Sequence, residues 1–352
     1  MIQSWNSGHG IETGRERRRR ALLVLSGLLL GSVLQVRGQQ VVSDGEKSLL
    51  MVRGGRIETE TAAVYDLKSG ETAFLSPRGG CFAVLAKTGT ALAAERNLRV
   101  YARDGRMIYQ IPETRADIVY TADNGACLLI TILGIDPNSK ARLDIVDEKG
   151  KTTGSATVPF PGECKFFPGN AALALAIPGE SIRVFSIGEG REVIRVPYAR
   201  AFLPLVGSQI LLVDRAWLAL YREGKEAFRR SHDLYYPRLI LADRENRNAL
   251  IGCHHEVVLA DIQEGRIASR WKAPASFGVI SIGAAGDFSA AAVGARSLSG
   301  VEAVYILDKD LKTVRKHEQR VPKPSGVFPK VVILEKPRLK ILVYGQAWEK
   351  TL

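Results

Sequence analysis

The stretch Ile145-Val-Asp-Glu-Lys-Gly150 decides the fold, because its pattern recurs six more times along the chain. Two or three apolar or aromatic residues lead into a short polar turn, which usually closes on glycine before a second extended segment. Tight hairpin turns need a residue that tolerates a positive φ, and glycine does so without steric cost. Each copy therefore predicts a β-hairpin. The other copies are Val64–Gly70, Val100–Gly105, Val184–Gly190, Leu220–Gly224, Leu259–Gly265 and Tyr305–Leu311, the last of which lacks the glycine.

The spacing of the copies indicates a repeat of four strands. Successive closing glycines lie 35, 45, 40, 34 and 41 residues apart, and further apolar runs such as Cys81–Leu85 and Ala91–Ala94 fall between the hairpins. Four strands of about five residues fill such a repeat. After residue 40 no stretch of ten or more residues carries the apolar stripe of a helix, which excludes an alternating α/β fold. A β-sandwich would not need a fixed period, so we predict an all-β protein of the β-propeller class.

The hairpins resemble those of the broad superfamily of YVTN-type, quinoprotein-like and WD-repeat propellers, over residues 41–352. Motifs that define single families within it are missing: no Trp-Asp dipeptide and no Tyr-Val-Thr-Asn string occurs in the sequence. The resemblance implies one domain, with blades packed around a central channel and ligands held on one face.

We predict seven blades of four antiparallel strands, with eight blades as the alternative. The C-terminal runs Val331–Leu334 and Ile341–Tyr344 follow the seventh hairpin. They either complete the first blade by strand exchange, which we favour because it protects an unpaired edge, or begin an eighth blade. The N-terminal repeat supplies four candidate strands, Gln40–Val42, Leu49–Val52, Ala62–Tyr65 and Thr72–Leu75.

Residues 1–38 have the pattern of an export signal. The cationic run Arg17–Arg20 directly precedes 14 largely apolar residues, Ala21–Leu34. This order is typical of a secretory signal, and the run is shorter than the roughly 20 residues that span a bilayer. We therefore expect a signal helix that is cleaved and a periplasmic or extracellular protein. The alternatives are an uncleaved membrane anchor at residues 21–36 and a buried helix.

Cysteine spacing and charge limit the chemistry. The four cysteines, Cys81, Cys127, Cys164 and Cys253, form no Cys-x-x-Cys motif, and we favour buried free thiols over disulfides. Of the net charge of +12, residues 1–38 hold +4, from six arginines and two glutamates. A basic stretch near the C-terminus predicts contact with an anionic glycan, lipid headgroups or an acidic protein, or else a solvated edge of the last blade. Its cations are Lys312, Arg315, Lys316, Arg320, Lys323, Lys330, Lys336, Arg338 and Lys340.

Two histidine-bearing segments form the candidate site. Ser231–Pro237 is predicted to enter the sixth blade, and Cys253–Glu256 to form the inner turn of that blade, one blade after the turn with Asp214 and Arg215. Both segments then lie on one face of the propeller. Imidazole and carboxylate groups can bind a divalent metal or act as a general acid and base. The alternative is an exposed polar turn, and Tyr235-Tyr236-Pro237 is expected to pack rather than to stack on a ligand. The candidate residues are His232, Asp233, His254, His255 and Glu256.

No motif of a catalytic nucleophile or of a phosphate-binding loop occurs in the sequence. We therefore predict a non-catalytic, monomeric binding or scaffold module without a cofactor, with a protein, glycan or small molecule as its ligand. The alternative is a propeller enzyme, either a metal-assisted hydrolase, a lactonase or an oxidoreductase, that uses the five candidate residues. Nucleic acid is disfavoured by the export signal, and a membrane is expected as a partner only if the signal stays uncleaved.

Overall fold

The computed structural model describes residues 40–43, 49–88, 95–134, 139–321, 330–335, 339–344 and 349–351. This part of the chain is all β, with strands β1 to β31 and no helix. Accordingly, it contains no helical segment that could cross a membrane. The predicted signal at residues 1–38 lies outside the described residues.

Seven sheets of four antiparallel strands follow one another along the chain, which confirms the predicted propeller and its four-stranded blades. Blade 1 is β1 Gln40–Ser43, β2 Leu49–Arg53, β3 Arg56–Glu58 and β4 Ala63–Asp66; blade 2 is β5 Glu71–Leu75, β6 Cys81–Thr88, β7 Glu95–Ala102 and β8 Met107–Thr114. Blade 3 is β9 Ile118–Thr121, β10 Cys127–Ile132, β11 Lys140–Val146 and β12 Thr152–Pro159; blade 4 is β13 Cys164–Phe166, β14 Ala172–Ile177, β15 Ser181–Ser186 and β16 Arg191–Pro197. Blade 5 is β17 Ala201–Leu205, β18 Gln209–Val213, β19 Trp217–Arg222 and β20 Lys225–Ser231; blade 6 is β21 Leu239–Ala242, β22 Asn248–Gly252, β23 Glu256–Asp261 and β24 Ile267–Lys272. Blade 7 is β25 Phe277–Ala284, β26 Ala290–Ser297, β27 Val301–Asp308 and β28 Thr313–Arg320.

The C-terminal strands form a further sheet, and the favoured strand exchange is wrong. Strands β29 Lys330–Leu334, β30 Lys340–Tyr344 and β31 Glu349–Thr351 pair with one another, while blade 1 takes its four strands from the N-terminal repeat. This three-stranded closing sheet lies between blades 7 and 1, and β29 contacts both β25 and β1. Val332 and Leu342 pack with Val41 and Met51 of blade 1. The seven predicted blades are therefore closed into a ring by apolar packing of the closing sheet against blades 7 and 1.

The first strand of each sheet lies towards the axis, and the fourth strand lies on the rim. First strands of neighbouring sheets contact one another, as β5 does β9 and β17 does β21. Clusters of buried apolar side chains fill the space between neighbouring blades, for example Leu143 of blade 3 against Leu175 of blade 4. Connections between blades and turns between second and third strands consequently share one face, which we call the connection face. Turns between first and second strands lie on the opposite face.

The predicted assignment of strands to blade 1 is wrong by one strand. Thr72–Leu75 belongs to β5, the inner strand of blade 2, rather than to blade 1. The sequence prediction missed β3, which has three residues and follows a turn in which Gly54 and Gly55 have φ values of 55° and 81°. The hairpin that closes on Gly70 therefore joins blade 1 to blade 2, whereas the other six predicted hairpins join third and fourth strands.

The seventh hairpin shows why one copy lacks glycine. Gly150 has a φ of 84°, as its turn requires, and Leu311 in the equivalent turn of blade 7 has a φ of 60°. A leucine there is strained, but its side chain is only 4% exposed and packs in the core of blade 7. Burial of the leucine side chain offsets the backbone strain.

All four cysteines are buried and free, in agreement with the prediction. Burial raises the pKa of the Cys127 thiol to about 11 and that of Cys253 to about 12. These thiols are protonated at neutral pH and behave as small apolar side chains.

Candidate functional site

The two predicted segments lie side by side on the connection face. Ser231–Pro237 leads from the end of β20 to the start of β21, and Cys253–Glu256 spans the turn between β22 and β23. The backbone N–H of His254 donates a hydrogen bond to the carbonyl of Tyr235, at 3.1 Å. This bond joins the second turn of blade 6 to the connection that enters the blade.

The turn brings the two adjacent histidines together. On a regular strand their side chains would point to opposite faces. Here the ring centroids of His254 and His255 lie 4.1 Å apart at an interplanar angle of 62°. Nδ1 of His255 is 2.8 Å from the backbone carbonyl of Phe277, which accepts a hydrogen bond, so this nitrogen carries the proton. Burial lowers the pKa of His254, and the neighbouring His255 and Arg238 lower it further.

Both candidate carboxylates are bound by an arginine that the sequence analysis did not identify. Arg270 on β24 donates to Asp233 at 2.7 Å and to Glu256 at 2.9 Å. The hydrogen bond from Arg270 and its positive charge lower the pKa of Asp233. Because Arg270 lies 37 residues from Asp233 along the chain, no local motif signals the contact.

His232 is held by its own segment. Its Nδ1 accepts a hydrogen bond of 3.1 Å from the backbone N–H of Leu234. Its Nε2 is buried and has no hydrogen-bond partner among the residues that the structure describes. Burial is the main cause that lowers the pKa of this imidazole. The neutral form is therefore favoured.

Within the described ranges no group of three or more His, Cys, Asp or Glu side chains is placed to hold a metal ion. Arg270 binds the two carboxylates. One ring nitrogen of His232 and one of His255 form hydrogen bonds with backbone groups. The arrangement is a network of protein contacts that fixes the connection into blade 6.

An exposed aromatic pair next to these histidines is the most unusual feature of the face. Tyr235 and Tyr236 are 57% and 40% exposed, and their ring centroids lie 4.8 Å apart in an edge-to-face arrangement. Tyr236 has a φ of 53°, in the left-handed region that bulky residues rarely adopt. The two rings pack against each other at the surface rather than in the interior.

Two arginines from blade 5 lie against the ring of Tyr236. The guanidinium carbons of Arg200 and Arg215 are 4.8 and 4.1 Å from the ring centroid. Arg200 belongs to the connection into blade 5, and Arg215 to the turn between β18 and β19. We call Arg200, Arg215, Tyr235, Tyr236 and His254 the Tyr236 cluster. It extends over blades 5 and 6 of the connection face.

The cluster carries an excess of positive charge. Asp214 lies 3.9 Å from Nε of Arg200, and its carboxylate accepts a 2.6 Å hydrogen bond from the backbone N–H of Arg215. Among the described residues no carboxylate forms an ion pair with the guanidinium group of Arg215. The sequence analysis noted Asp214 and Arg215 as the equivalent turn of blade 5, but it could not show that Arg215 reaches Tyr236.

The predicted basic stretch is divided between two sheets. Lys312, Arg315, Lys316 and Arg320 are exposed on or beside β28, the rim strand of blade 7. Lys316 forms an ion pair of 2.5 Å with Glu318. Lys330 and Lys340 begin β29 and β30 in the closing sheet. Lys323, Lys336 and Arg338 lie outside the described residues.

Positive charge on the rim is restricted to consecutive blades. The rim strands β20, β24 and β28 each carry a net charge of +2, whereas β4, β8, β12 and β16 carry −1, −1, 0 and +1. A groove of about 400 Å³ separates β20 from β24 and is lined by Arg230–Asp233 and Glu264–Ile267. We call β20, β24 and β28 the basic rim; it adjoins the blades that carry the Tyr236 cluster.

Comparison with known proteins supports the fold. No protein-family model and no curated protein sequence matches the chain. Solved structures do: the C-terminal WD40 domain of Sif2 matches with a TM-score of 0.56 and 9% identity over 89% of this chain and 91% of that one. BamB from Moraxella catarrhalis matches with a TM-score of 0.54 and 10% identity over 86% of this chain and 92% of that one. Dihydro-heme d1 dehydrogenase NirN, in complex with DHE, matches with a TM-score of 0.54 and 16% identity over 81% of this chain and 66% of that one.

These likenesses define the class of protein. The chain is a β-propeller similar in fold to WD40 domains and to BamB, as the resemblance of its hairpins predicted. At such low identities the likeness concerns the fold alone. The similar structures include both a WD40 domain and a dehydrogenase, so function has to be argued from the residues of this chain.

Proposed function

We propose that this protein is an exported, non-catalytic β-propeller that binds a partner protein through the Tyr236 cluster. The exposed, strained Tyr236 carries the proposal. A left-handed backbone at such a residue costs about 1–2 kcal/mol. The ring does not recover that cost by burial, because it is 40% exposed. Strain of this kind concentrates at functional sites, and tyrosine and arginine are the residues that most often dominate binding energy at protein interfaces.

The chemistry of the neighbouring candidate residues favours binding over catalysis. A general acid or base needs a free polar atom in contact with the substrate. Asp233 and Glu256 instead share the guanidinium group of Arg270. Among the described residues, none of the three candidate histidines forms a hydrogen bond with Asp233 or Glu256. The structure therefore gives no support for an acid–base pair of a histidine and a carboxylate. The cationic run Arg17–Arg20 before the apolar run Ala21–Leu34 supports export to the periplasm or beyond.

Site-specific photo-crosslinking tests this proposal. A photoreactive phenylalanine replaces Tyr235 in the full chain, expressed in cells that naturally produce the protein. Val206 is the matched control position, because it is 58% exposed, against 57% for Tyr235, and lies on the opposite face of blade 5. We expect one discrete crosslinked protein from position 235 and none from position 206. Failure to crosslink at 235, or the same products from both positions, would refute the proposal.

A further inference from the structure

The Tyr236 cluster holds two like charges close together. Because the guanidinium carbons of Arg200 and Arg215 lie 4.8 and 4.1 Å from one ring centroid, they are within about 9 Å of each other. The charges repel at this distance. Asp214 is the carboxylate that approaches them, and it lies 3.9 Å from Nε of Arg200. The cluster therefore has a net positive charge that an incoming anion would neutralise.

Stacking on Tyr236 prepares the two guanidinium groups for an anion. A guanidinium against an aromatic ring keeps its N–H edge available, and that edge matches the two oxygens of a carboxylate. The ring also restricts the side-chain rotamers, so less entropy is lost when an anion binds. From this geometry, and resting on the proposed function, we infer that the partner presents an acidic polypeptide segment, one carboxylate of which binds between Arg200 and Arg215.

The basic rim favours a polypeptide over a flat anionic membrane. Lysine and arginine on edge strands also prevent edge-to-edge aggregation. That role does not explain the charge distribution, because β4, β8 and β12 are equally exposed to aggregation and carry no excess of positive charge. The blades of a propeller are arranged radially, so the rims of blades 5 to 7 form a convex surface. A flat bilayer touches part of such an arc, whereas an extended acidic chain can follow it.

Peptide binding by the full chain tests the inference. The probe is a fluorescein-labelled peptide of ten glutamates, with a peptide of ten glutamines as its neutral counterpart. We expect the glutamate peptide to bind, its affinity to fall as salt is raised, and the glutamine peptide not to bind. The double substitution Arg200→Gln and Arg215→Gln should weaken binding about tenfold, because it removes charge-assisted hydrogen bonds.

The matched control removes the same charge elsewhere. Arg191 and Arg195 are exposed on β16 and pair with Glu189 and Glu192. Arg191→Gln with Arg195→Gln should change the affinity less than about twofold, because their charges are already compensated. An equal loss in both double variants would overturn the inference, since binding would then depend on total charge alone. Thermal unfolding of each variant verifies that the fold is intact.

Two further binding measurements distinguish an acidic polypeptide from a lipid headgroup or free phosphate as the bound anion. Vesicles with anionic headgroups and inorganic phosphate are offered to the same protein. Tighter binding to vesicles than to the peptide, or competition by phosphate at the concentration of the peptide, would also overturn the acidic-polypeptide inference. A crosslinked partner at position 235 without glutamate-peptide binding would refute this inference but leave the proposed function standing. Peptide binding without a crosslinked partner would refute the proposed function and leave only the affinity of the cluster for acidic peptides.

Discussion

Close packing between blades 3 and 4 leads to a specific prediction for Gly154. This residue lies on β12, opposite the hairpin of blade 4 that contains Gly190. A Cβ atom at Gly154 would lie 1.8 Å from the carbonyl oxygen of Gly190 and 2.5 Å from its carbonyl carbon. Both are backbone atoms, which cannot rotate out of the way as a side chain can. Gly154→Ala therefore forces the two blades apart locally.

The magnitude follows from overpacking. Inserting a methyl group into a packed interior typically costs 1–3 kcal/mol. We expect a clash with backbone atoms to cost about 3 kcal/mol, at the upper end of this range. The loss of chain entropy in the unfolded state offsets about 0.7 kcal/mol. We expect the free energy of unfolding to fall by about 2 kcal/mol and the melting temperature by about 3 °C, because the entropy of unfolding of a domain this large is about 0.65 kcal/mol/K. Urea unfolding followed by circular dichroism measures the first quantity, and thermal unfolding the second.

Gly188→Ala is the control for this prediction. Gly188 lies two residues before Gly190, its φ is not in the left-handed region, and a Cβ there would meet nothing within 4 Å. The control should change the free energy of unfolding by no more than about 0.5 kcal/mol. If Gly154→Ala is as mild as Gly188→Ala, the described contact between blades 3 and 4 is wrong.

Three further predictions concern the hairpin of blade 7 and the histidines. Leu311→Gly relieves a left-handed backbone but removes a buried side chain, so the free energy of unfolding should fall by at least about 2 kcal/mol; a rise would show that strain outweighs burial. Burial lowers the pKa of His232, so its contribution to stability is present above the ordinary pKa of about 6.5 and is lost as pH falls through the lowered folded-state value. His232→Asn, which keeps an acceptor for the Leu234 N–H, should therefore make the free energy of unfolding less dependent on pH between about 7.5 and 5, and an unchanged dependence would contradict this. Replacing His254 and His255 with alanine should leave the metal content of the purified protein unchanged by elemental analysis; loss of a stoichiometric metal would restore the enzyme alternative.

The hairpins were predictable because their signal is local. A turn such as Ile145–Gly150 needs a positive φ within six residues, and its glycine records that need in the sequence. Strand β3 was missed because three residues are too few to show alternation. The last hairpin was predicted without its glycine, because the apolar and polar residues of Tyr305–Leu311 follow the pattern of the other copies; only the buried position of Leu311 could not be foreseen.

The candidate site was predictable in position but not in chemistry. The repeat alone placed Ser231–Pro237 and Cys253–Glu256 on one face, because that placement depends only on the order of strands. The contacts that define the site cross between strands or blades, as Arg270 does to Asp233 and Arg215 does to Tyr236. Such contacts depend on side-chain reach in the folded chain, and no spacing in the sequence records them.

Amide hydrogen exchange of the full chain, with and without a partner that copurifies with the tagged wild-type protein, tests the central claim most directly. The account predicts that the partner slows exchange in Ser231–Pro237 and in the turn between β18 and β19, which together carry Tyr236 and Arg215. Slower exchange confined to the opposite face, such as the turn between β17 and β18 that holds Val206, would contradict it.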